Sequence, residues 1–454
     1  MALFDRFLAR QVKTGELTLI HADGTTKQFG TPDPAYNPVT IRLTAPGVAG
    51  AIVRHPALGA AEAFMDGRLV IERGDIRDLV NLLKGNSPWE RGGGLNPSLP
   101  IKLLDKVVHR VDRVNMARRS KKNVAHHYDL SDRLYDLFLD ADRQYSCAYF
   151  TDAGNSLEQA QDDKKAHIAA KLAIQPGMRV LDIGCGWGGM ALYLHAKTGA
   201  EVLGVTLSEE QLKVARRRAE EAGVADKVKF ELIDYRALTG TFDRIVSVGM
   251  FEHVGPPQYK TFFRKCRDLL SADGVMLLHT IGRMGGPGVT DTFTTKYIFP
   301  GGYNPALSEI VRGYEGLKFF PTDIEVLRVH YALTIDHWYD RTVAAKDAIV
   351  ALYDERFYRM WTFYLAGAAA AFRTGGMVNY QIQLSKSRMT LPLTRDYMIE
   401  GERALRAGWF PAVRHSRGGG NPDWQAPVME PKSQPVWIPA SAGMTTLRGD
   451  SVDG

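Results

Sequence analysis

The stretch Val180-Leu181-Asp182-Ile183-Gly184-Cys185-Gly186-Trp187-Gly188-Gly189 opens on apolar residues and closes on alternating glycines. It reads as a buried strand running into a glycine-rich turn and then a helix. Such a turn holds a nucleotide-like ligand, because Gly184 and Gly186 lack the Cβ atoms that would keep the backbone away and the helix start supplies N–H groups. Without a ligand, the same pattern is simply a tight strand-to-helix turn. From Met178 onward, strand-like and helix-like runs alternate: Arg179 to Ile183, Gly189 to Lys197, Glu201 to Thr206, Glu209 to Glu221, Val228 to Ile233, Arg244 to Val248, Tyr259 to Leu270 and Val275 to His279. This alternation specifies a doubly wound, Rossmann-like α/β sheet, mainly parallel. Two later β-type runs, Ile324 to His330 and Asn379 to Ser385, are expected to form an antiparallel edge.

Around this body the chain of 454 residues, 45% of them hydrophobic, is long enough for a large core and a second domain. Residues 1–90 mix short β-type runs (Leu17 to Ile20, Val39 to Leu43) with helix-like Leu58 to Met65 and Ile76 to Leu83, a small α+β domain. Residues 91–122 begin with the turn-rich Arg91-Gly92-Gly93-Gly94-Leu95-Asn96-Pro97, a linker, and continue into a basic helix. There Leu104, Val107, Val108, Val111 and Val114 keep helical spacing on one face, and Lys102, Lys106, Arg110 and Arg113 keep it on another. Residues 1–124 hold 19 Lys and Arg against 12 Asp and Glu, a net +7 within a chain whose total is +6. A basic amphipathic helix suits an anionic membrane surface, and it equally suits a solvated linker packed on the next domain. No nucleic-acid-binding motif accompanies it, so no nucleic-acid partner is expected. Residues 123–406 are expected to form the main body around this sheet. Residues 407–454, with six prolines and six glycines from 411 onward and no periodicity, read as a disordered tail.

The spacing G-x-G-x-G-G, with Asp182 before the first glycine and no acid closing the strand Glu201 to Thr206, resembles S-adenosylmethionine (SAM) methyltransferases rather than NAD enzymes. A SAM site lies at the carboxyl ends of adjacent strands. Candidates there are Asp182, Gly184, Gly186 and Gly188 in the turn, and Thr206, Leu207, Ser208 and Gln211 after the second strand, with the Gln211 amide on the ribose. After the third strand come Asp234 for the adenine amino group and Tyr235 for its face. Ser208 with Gln211 also forms a capping box, and both roles are compatible.

Six segments together resemble the cyclopropane-fatty-acyl-phospholipid synthases over most of residues 10–400. They are Ala125-His126-His127-Tyr128-Asp129-Leu130, Tyr145-Ser146-Cys147-Ala148-Tyr149-Phe150, Val180 to Gly189, Gly249-Met250-Phe251-Glu252-His253-Val254-Gly255, His279-Thr280-Ile281-Gly282 and Arg356-Phe357-Tyr358-Arg359-Met360-Trp361. The resemblance implies that the SAM methyl carbon is added across a cis double bond of an acyl chain and that a proton is then lost to close the ring. It implies a bound bicarbonate as proton acceptor, cradled by Cys147, Glu252, His279, Ile281 through its backbone, and Tyr339. It also places Tyr145 and Ser146 at SAM and gives His126 and His127 a role in the lid over it. Glu252 and His279 follow the fourth and fifth strands, which independently puts an acid and an imidazole at the crevice. Some family members carry a cysteine where Ala368 stands. Phe357, Trp361, Tyr364 and Phe372 fall at helical spacing, as core or as the lining of an acyl tunnel.

The three cysteines are too few and scattered for a disulfide framework or a zinc site, and no metal is expected. The start Met1-Ala2-Leu3-Phe4-Asp5-Arg6 lacks a basic and then apolar leader. The longest nearly apolar run, Met360 to Phe372, is far short of the ~20 residues of a spanning helix. The expectation is a cytoplasmic enzyme that visits the inner membrane face peripherally to reach unsaturated phospholipid, with a homodimer left open. Three rivals stand beside it: a methyl-branching relative that loses a different proton, an amine N-methyltransferase, and a lipid-binding protein with a vestigial SAM pocket.

Overall fold

The seven-stranded sheet at the centre of the molecule has the order β10-β11-β9-β8-β5-β6-β7. A computed structural model describes residues 2–92 and 131–408. The basic stretch Ile101 to Lys122, the motif Ala125 to Leu130 with both histidines, and the tail from 409 lie outside these described residues.

The front segment carries β1 (Leu17–Ile20), β2 (Thr26–Phe29), β3 (Val39–Leu43) and β4 (Leu69–Arg73), paired in the order β2-β1-β3-β4. Its helices are α1 (Ala2–Gln11), α2 (Val48–Arg54), α3 (Pro56–Met65) and α4 (Ile76–Gly85). Alternation in β1 and β3 buries Leu17, Leu19, Val39, Ile41 and Leu43 on one face, as period-two patterning requires. Helix α4 starts at a reciprocal capping box in which the Asp75 carboxylate accepts from Asp78 N at 2.7 Å and the Asp78 carboxylate accepts from Asp75 N at 3.1 Å. That box satisfies two donors that a helix start leaves without intrahelical partners.

The body begins with α5 (Asp132–Phe138) and α6 (Leu157–Leu172). It then alternates β5 (Arg179–Ile183), α7 (Gly189–Thr198), β6 (Glu201–Thr206), α8 (Glu209–Glu221), β7 (Val228–Leu232), β8 (Phe242–Val248), α9 (Tyr259–Leu269) and β9 (Leu270–Arg283). Strands β5, β6, β7, β8 and β9 pair in parallel. Their central positions are apolar on both faces, which suits a sheet covered by helices on both sides. The chain leaves β5 toward β6 on one side and returns to β8 on the other. The crevice of an open α/β sheet lies at that switch point.

After α10 (Leu307–Tyr314) come β10 (Phe320–Leu327), α11 (His330–Ala344), α12 (Lys346–Leu352), α13 (Glu355–Arg373), β11 (Met377–Ser385) and α14 (Asp396–Arg406). Strand β11 runs antiparallel to both β9 and β10, so the expected antiparallel edge is present. Helix α13 packs on α11 and also on α3 and α4 of the front segment, and the two sheets therefore belong to one compact unit. Polar ties reinforce the seam: Arg77 to Asp340 at 2.6 Å, Arg356 to Asp66 at 2.9 Å and Lys296 to Glu62 at 2.7 Å. Among the described residues, no helix is long and apolar enough to cross a membrane, and no cluster of His, Cys, Asp and Glu could hold a metal.

Candidate active site

A cavity of about 670 Å³ opens at the carboxyl ends of β5, β6, β8 and β9, within the ~300–1,000 Å³ usual for small-molecule sites. One end is the glycine turn. Gly184, Gly186 and Gly188 all have positive φ, the left-handed region that favours glycine. Their roles differ. A Cβ on Gly186 would meet nothing within 4 Å, so its bare backbone faces the cavity, whereas one on Gly184 would strike the Met250 side chain at 2.8 Å. Gly188 does not line the cavity, and this corrects its assignment to the ligand. A Cβ there would reach Phe230 at 2.7 Å and Ala215 at 3.0 Å, so Gly188 lets α7 and α8 approach the sheet.

Asp182, on β5, lines the cavity while almost fully buried, and its Oδ2 has no hydrogen-bond partner. Burial pushes its carboxyl up to about 7, against the pull of the Lys164 ammonium. A buried carboxylate oxygen facing a cavity is suited to a cationic ligand group. Thr206, Leu207 and Gln211 line the next wall. The Thr206 hydroxyl donates to Gln211 Oε1 at 3.2 Å and holds the carboxamide in place. Ser208 is a second correction: it stands off the cavity, and its hydroxyl accepts from Gln211 N at 3.3 Å as the cap of α8. Of the two roles open to Ser208, the cap is the one present. Asp234 and Tyr235 line the same end. Burial alone would push the Asp234 carboxyl up, but Arg236 hydrogen-bonds both its oxygens and holds it below the usual carboxylate range.

Over this end lies the loop Gln144 to Cys147, all of whose residues line the cavity. The fully buried Lys164 of α6 fixes it, donating to Gln144 Oε1 at 2.6 Å and Ser146 Oγ at 2.9 Å, and the Thr334 hydroxyl of α11 accepts from Ala148 N at 3.0 Å. Burial lowers the Lys164 ammonium to about 8. The Tyr145 hydroxyl is tied to that of Tyr364. Cys147 is fully buried and burial pushes its thiol well up, so it stays protonated and is no nucleophile.

In the middle of the cavity sit Glu252, His279 and Ile281. Burial raises the Glu252 carboxyl to about 7. Its Oε1 accepts from Ile281 N at 2.6 Å, while Oε2 is buried without a partner. The Ile281 backbone, expected to reach a bound ion, thus uses its N–H to position Glu252. Burial depresses His279 to about 3, so its imidazole is neutral. Asn379 and Gln381 of β11 reach its two ring nitrogens at 3.3 and 3.2 Å. Both contacts are made by the amide nitrogens, and a neutral ring has one N–H, so it accepts from one amide and donates to the other only with that carboxamide turned to present its oxygen.

Tyr339 is the third correction. It lies outside the cavity wall, donates its hydroxyl to Asp75 Oδ2 at 3.1 Å, and stacks under the Arg77 guanidinium. Tyr331, on the same helix, lines the cavity, close enough to Cys147 and Glu252 for their charges to act on its hydroxyl. Eight residues of helix separate the two tyrosines by about 12 Å and about 80° of rotation, which decides which one faces the site. The sequence offered no sign of this choice. A sign did exist for Asn379 and Gln381: with Gln383 they form a polar row at every second position of an otherwise apolar strand, and all three are buried.

The far end of the cavity is apolar. Phe363, Ala368, Ala371 and Phe372 of α13 face Ala60 of α3 and Ile76, Leu79, Val80 and Leu83 of α4. Of the aromatic row at helical spacing, Tyr364 and Phe372 line the cavity, while Phe357 and Trp361 pack in the core beside it.

This sheet order, with a glycine turn, a buried carboxylate and a polar centre leading into an apolar slot, is that of a SAM-dependent methyltransferase. Residues 115–382 match the family described as mycolic acid cyclopropane synthetase, and the chain belongs to that family. The cyclopropane-fatty-acyl-phospholipid synthase of Escherichia coli K12 is 40% identical over 357 residues, 77% of this chain and 88% of that protein. A probable fatty acid methyltransferase of Pseudomonas putida is 36% identical over 389 residues, 83% of this chain and 94% of its own length. The solved structure of the mycolic acid cyclopropane synthase CmaA1 complexed with SAH and CTAB superposes with a TM-score of 0.56 at 36% identity, covering 59% of this chain and 98% of its own.

Proposed function

We propose that the protein adds the methyl carbon of SAM across a cis double bond in an acyl chain of a membrane phospholipid and, with loss of one proton, closes a cyclopropane ring. The observation that carries this reading is the continuity of the cavity, from the glycine turn past Glu252 and His279 into an apolar slot. When bound, SAM supplies an electrophilic methyl group. Gly186 gives it backbone access, Asp182 takes its ammonium end, and Gln211, Asp234 and Tyr235 flank its nucleoside. An isolated alkene is a weak nucleophile, so the slot acts by excluding water and holding the double bond against the methyl. Phe363, Phe372 and the α4 side chains do both.

The proton lost at ring closure needs an acceptor, and a bicarbonate ion supplies one when bound. The residues at the centre fit such an ion. Glu252, protonated below about pH 7, offers its partnerless Oε2 as an O–H donor, and Tyr331 offers a second hydroxyl from across the cavity. Ile281 N–H keeps Glu252 in that pose, while Asn379 and Gln381 fix the imidazole of His279. Cys147 contributes shape rather than charge.

Membrane association belongs to the same proposal, since the double bond lies within a bilayer. The net +7 of residues 1–124 supports approach to an anionic leaflet.

Mass spectrometry of lipids from a host expressing the protein tests the reading. The expected result is a gain of one CH₂ in unsaturated phospholipid chains with loss of the double bond and no branch. A saturated methyl branch or a methylene side group at the same position would establish the methyl-branching alternative.

A further inference from the structure

We infer that Lys84, at the front-segment end of the cavity, binds the phosphodiester of the phospholipid whose acyl chain fills the slot. The inference rests on the proposed function and names the part of the substrate recognised outside the reacting centre. Four cationic side chains line the cavity: Arg143, Arg236, Arg283 and Lys84. Arg143 is paired with Asp132 and Asp136, Arg236 with Asp234, and Arg283 donates to the carbonyls of Asn304 and Val289. Among the described residues the Lys84 ammonium makes no ion pair or hydrogen bond, while its backbone carbonyl accepts from Ser87 N at 3.0 Å. Asp291, which also lines this end, acts on its charge without closing on it.

Lys84 is half-buried, and burial lowers its ammonium from the ordinary lysine range. A desolvated cation on which no carboxylate closes directly is costly unless a ligand supplies a partner. Its position says which ligand. It sits at the last turn of α4, next to Leu83 and one turn beyond Val80, whose side chains form the apolar wall. Ala57 and Asp291 are exposed where they line the same region, so the cavity meets solvent there. An acyl chain running inward along Leu83, Val80 and Phe363 leaves its glycerol phosphate at this mouth. A phosphodiester offers a fixed negative charge and acceptor oxygens to an ammonium group.

The test uses the full-length protein and SAM with two oleoyl lipids in neutral detergent micelles, a phosphatidylethanolamine and the phosphate-free diolein. For Lys84→Gln the KM for the phospholipid should rise about tenfold, the loss expected for one charged hydrogen bond, with kcat within twofold and the KM for diolein unmoved. Lys84→Arg should recover most of the phospholipid KM. SAM affinity, measured by calorimetry, should be the same in all three proteins. Equal loss on both lipids would make Lys84 a wall residue only and overturn the inference, as would no loss on either. Competition by millimolar inorganic phosphate that disappears in Lys84→Gln would assign the residue to a free anion and also overturn it. If the wild-type protein converts neither lipid, the proposed function itself has failed.

Discussion

At the scale of single residues, the proposed chemistry rests on two buried carboxyls that water cannot easily ionise. Asp182 and Glu252 are both pushed up to about 7 by burial, from ordinary values near 4. In the ligand-free protein the folded state therefore holds protons that the unfolded chain releases. The stability these groups contribute is complete below about pH 4 and is lost as pH rises through about 7. Bound SAM reverses this at Asp182, because an ammonium group favours the ionised carboxylate. SAM affinity should rise with pH up to about 7 and then level. Calorimetry across that window should show the rise in the wild type and a flat, weaker profile for Asp182→Asn. Gly186→Leu should abolish SAM binding while leaving the melting temperature within a few degrees, since its side chain would enter the cavity rather than the core. Unchanged affinity in that variant would place the cofactor elsewhere. Glu252→Gln should lower kcat far more than SAM affinity, because the carboxyl faces the reacting centre and not the glycine turn. Equal turnover with and without bicarbonate would remove that ion from the proposal.

At the scale of elements, α11 shows how a helix divides its labour. Its Thr334 anchors the loop over SAM, its Tyr331 enters the cavity, and its Tyr339 reaches across the seam to the cap of α4. The two tyrosines should therefore separate in kinetics. Tyr339→Phe removes one hydrogen bond to Asp75 and should cost about 0.5–1.5 kcal/mol of stability with little change in kcat. Tyr331→Phe should lower kcat with little change in melting temperature. Denaturant titration and steady-state assays on both variants check this, and the opposite pattern would restore Tyr339 to the site. Helix α13 presents Ala368 to the same cavity.

At the scale of the whole molecule, the acyl slot is built jointly by two segments that are far apart in the chain. Residues of α3 and α4 face residues of α13 across it, and the seam is held by Arg77–Asp340, Arg356–Asp66 and Tyr339–Asp75. Substrate that resides in a bilayer adds a demand on the surface. Each basic residue near an anionic leaflet contributes about 1 kcal/mol, so under the proposed membrane approach the four cations Lys102, Lys106, Arg110 and Arg113 would supply transient binding. Vesicle co-sedimentation should rise with anionic lipid and fall with salt. It should drop when those four become Gln, with SAM affinity unchanged. Sedimentation that ignores lipid charge would favour the solvated-linker reading of that stretch.

The alternation from Met178 onward, the glycine turn and the residues following each strand were local signals. Pattern and spacing therefore determined the doubly wound sheet, the glycine turn at the crevice and the placement of Glu252 and His279 at strand ends. Local signals could not tell which of several well-spaced residues turns inward. Gly188 was indistinguishable from Gly186 until Phe230 and Ala215 closed against it, and Ser208 from Gln211 until the helix cap formed. The resemblance pointed to Tyr339 and gave no sign of Tyr331, because helical rotation relative to a distant loop is a property of packing. The apolar wall from α4, and with it the exposure of Lys84 to the cavity, exists only once residues 76–85 meet residues 363–372. Contacts across nearly three hundred residues leave no period in the chain, so only the tertiary structure decided that this apolar wall exists.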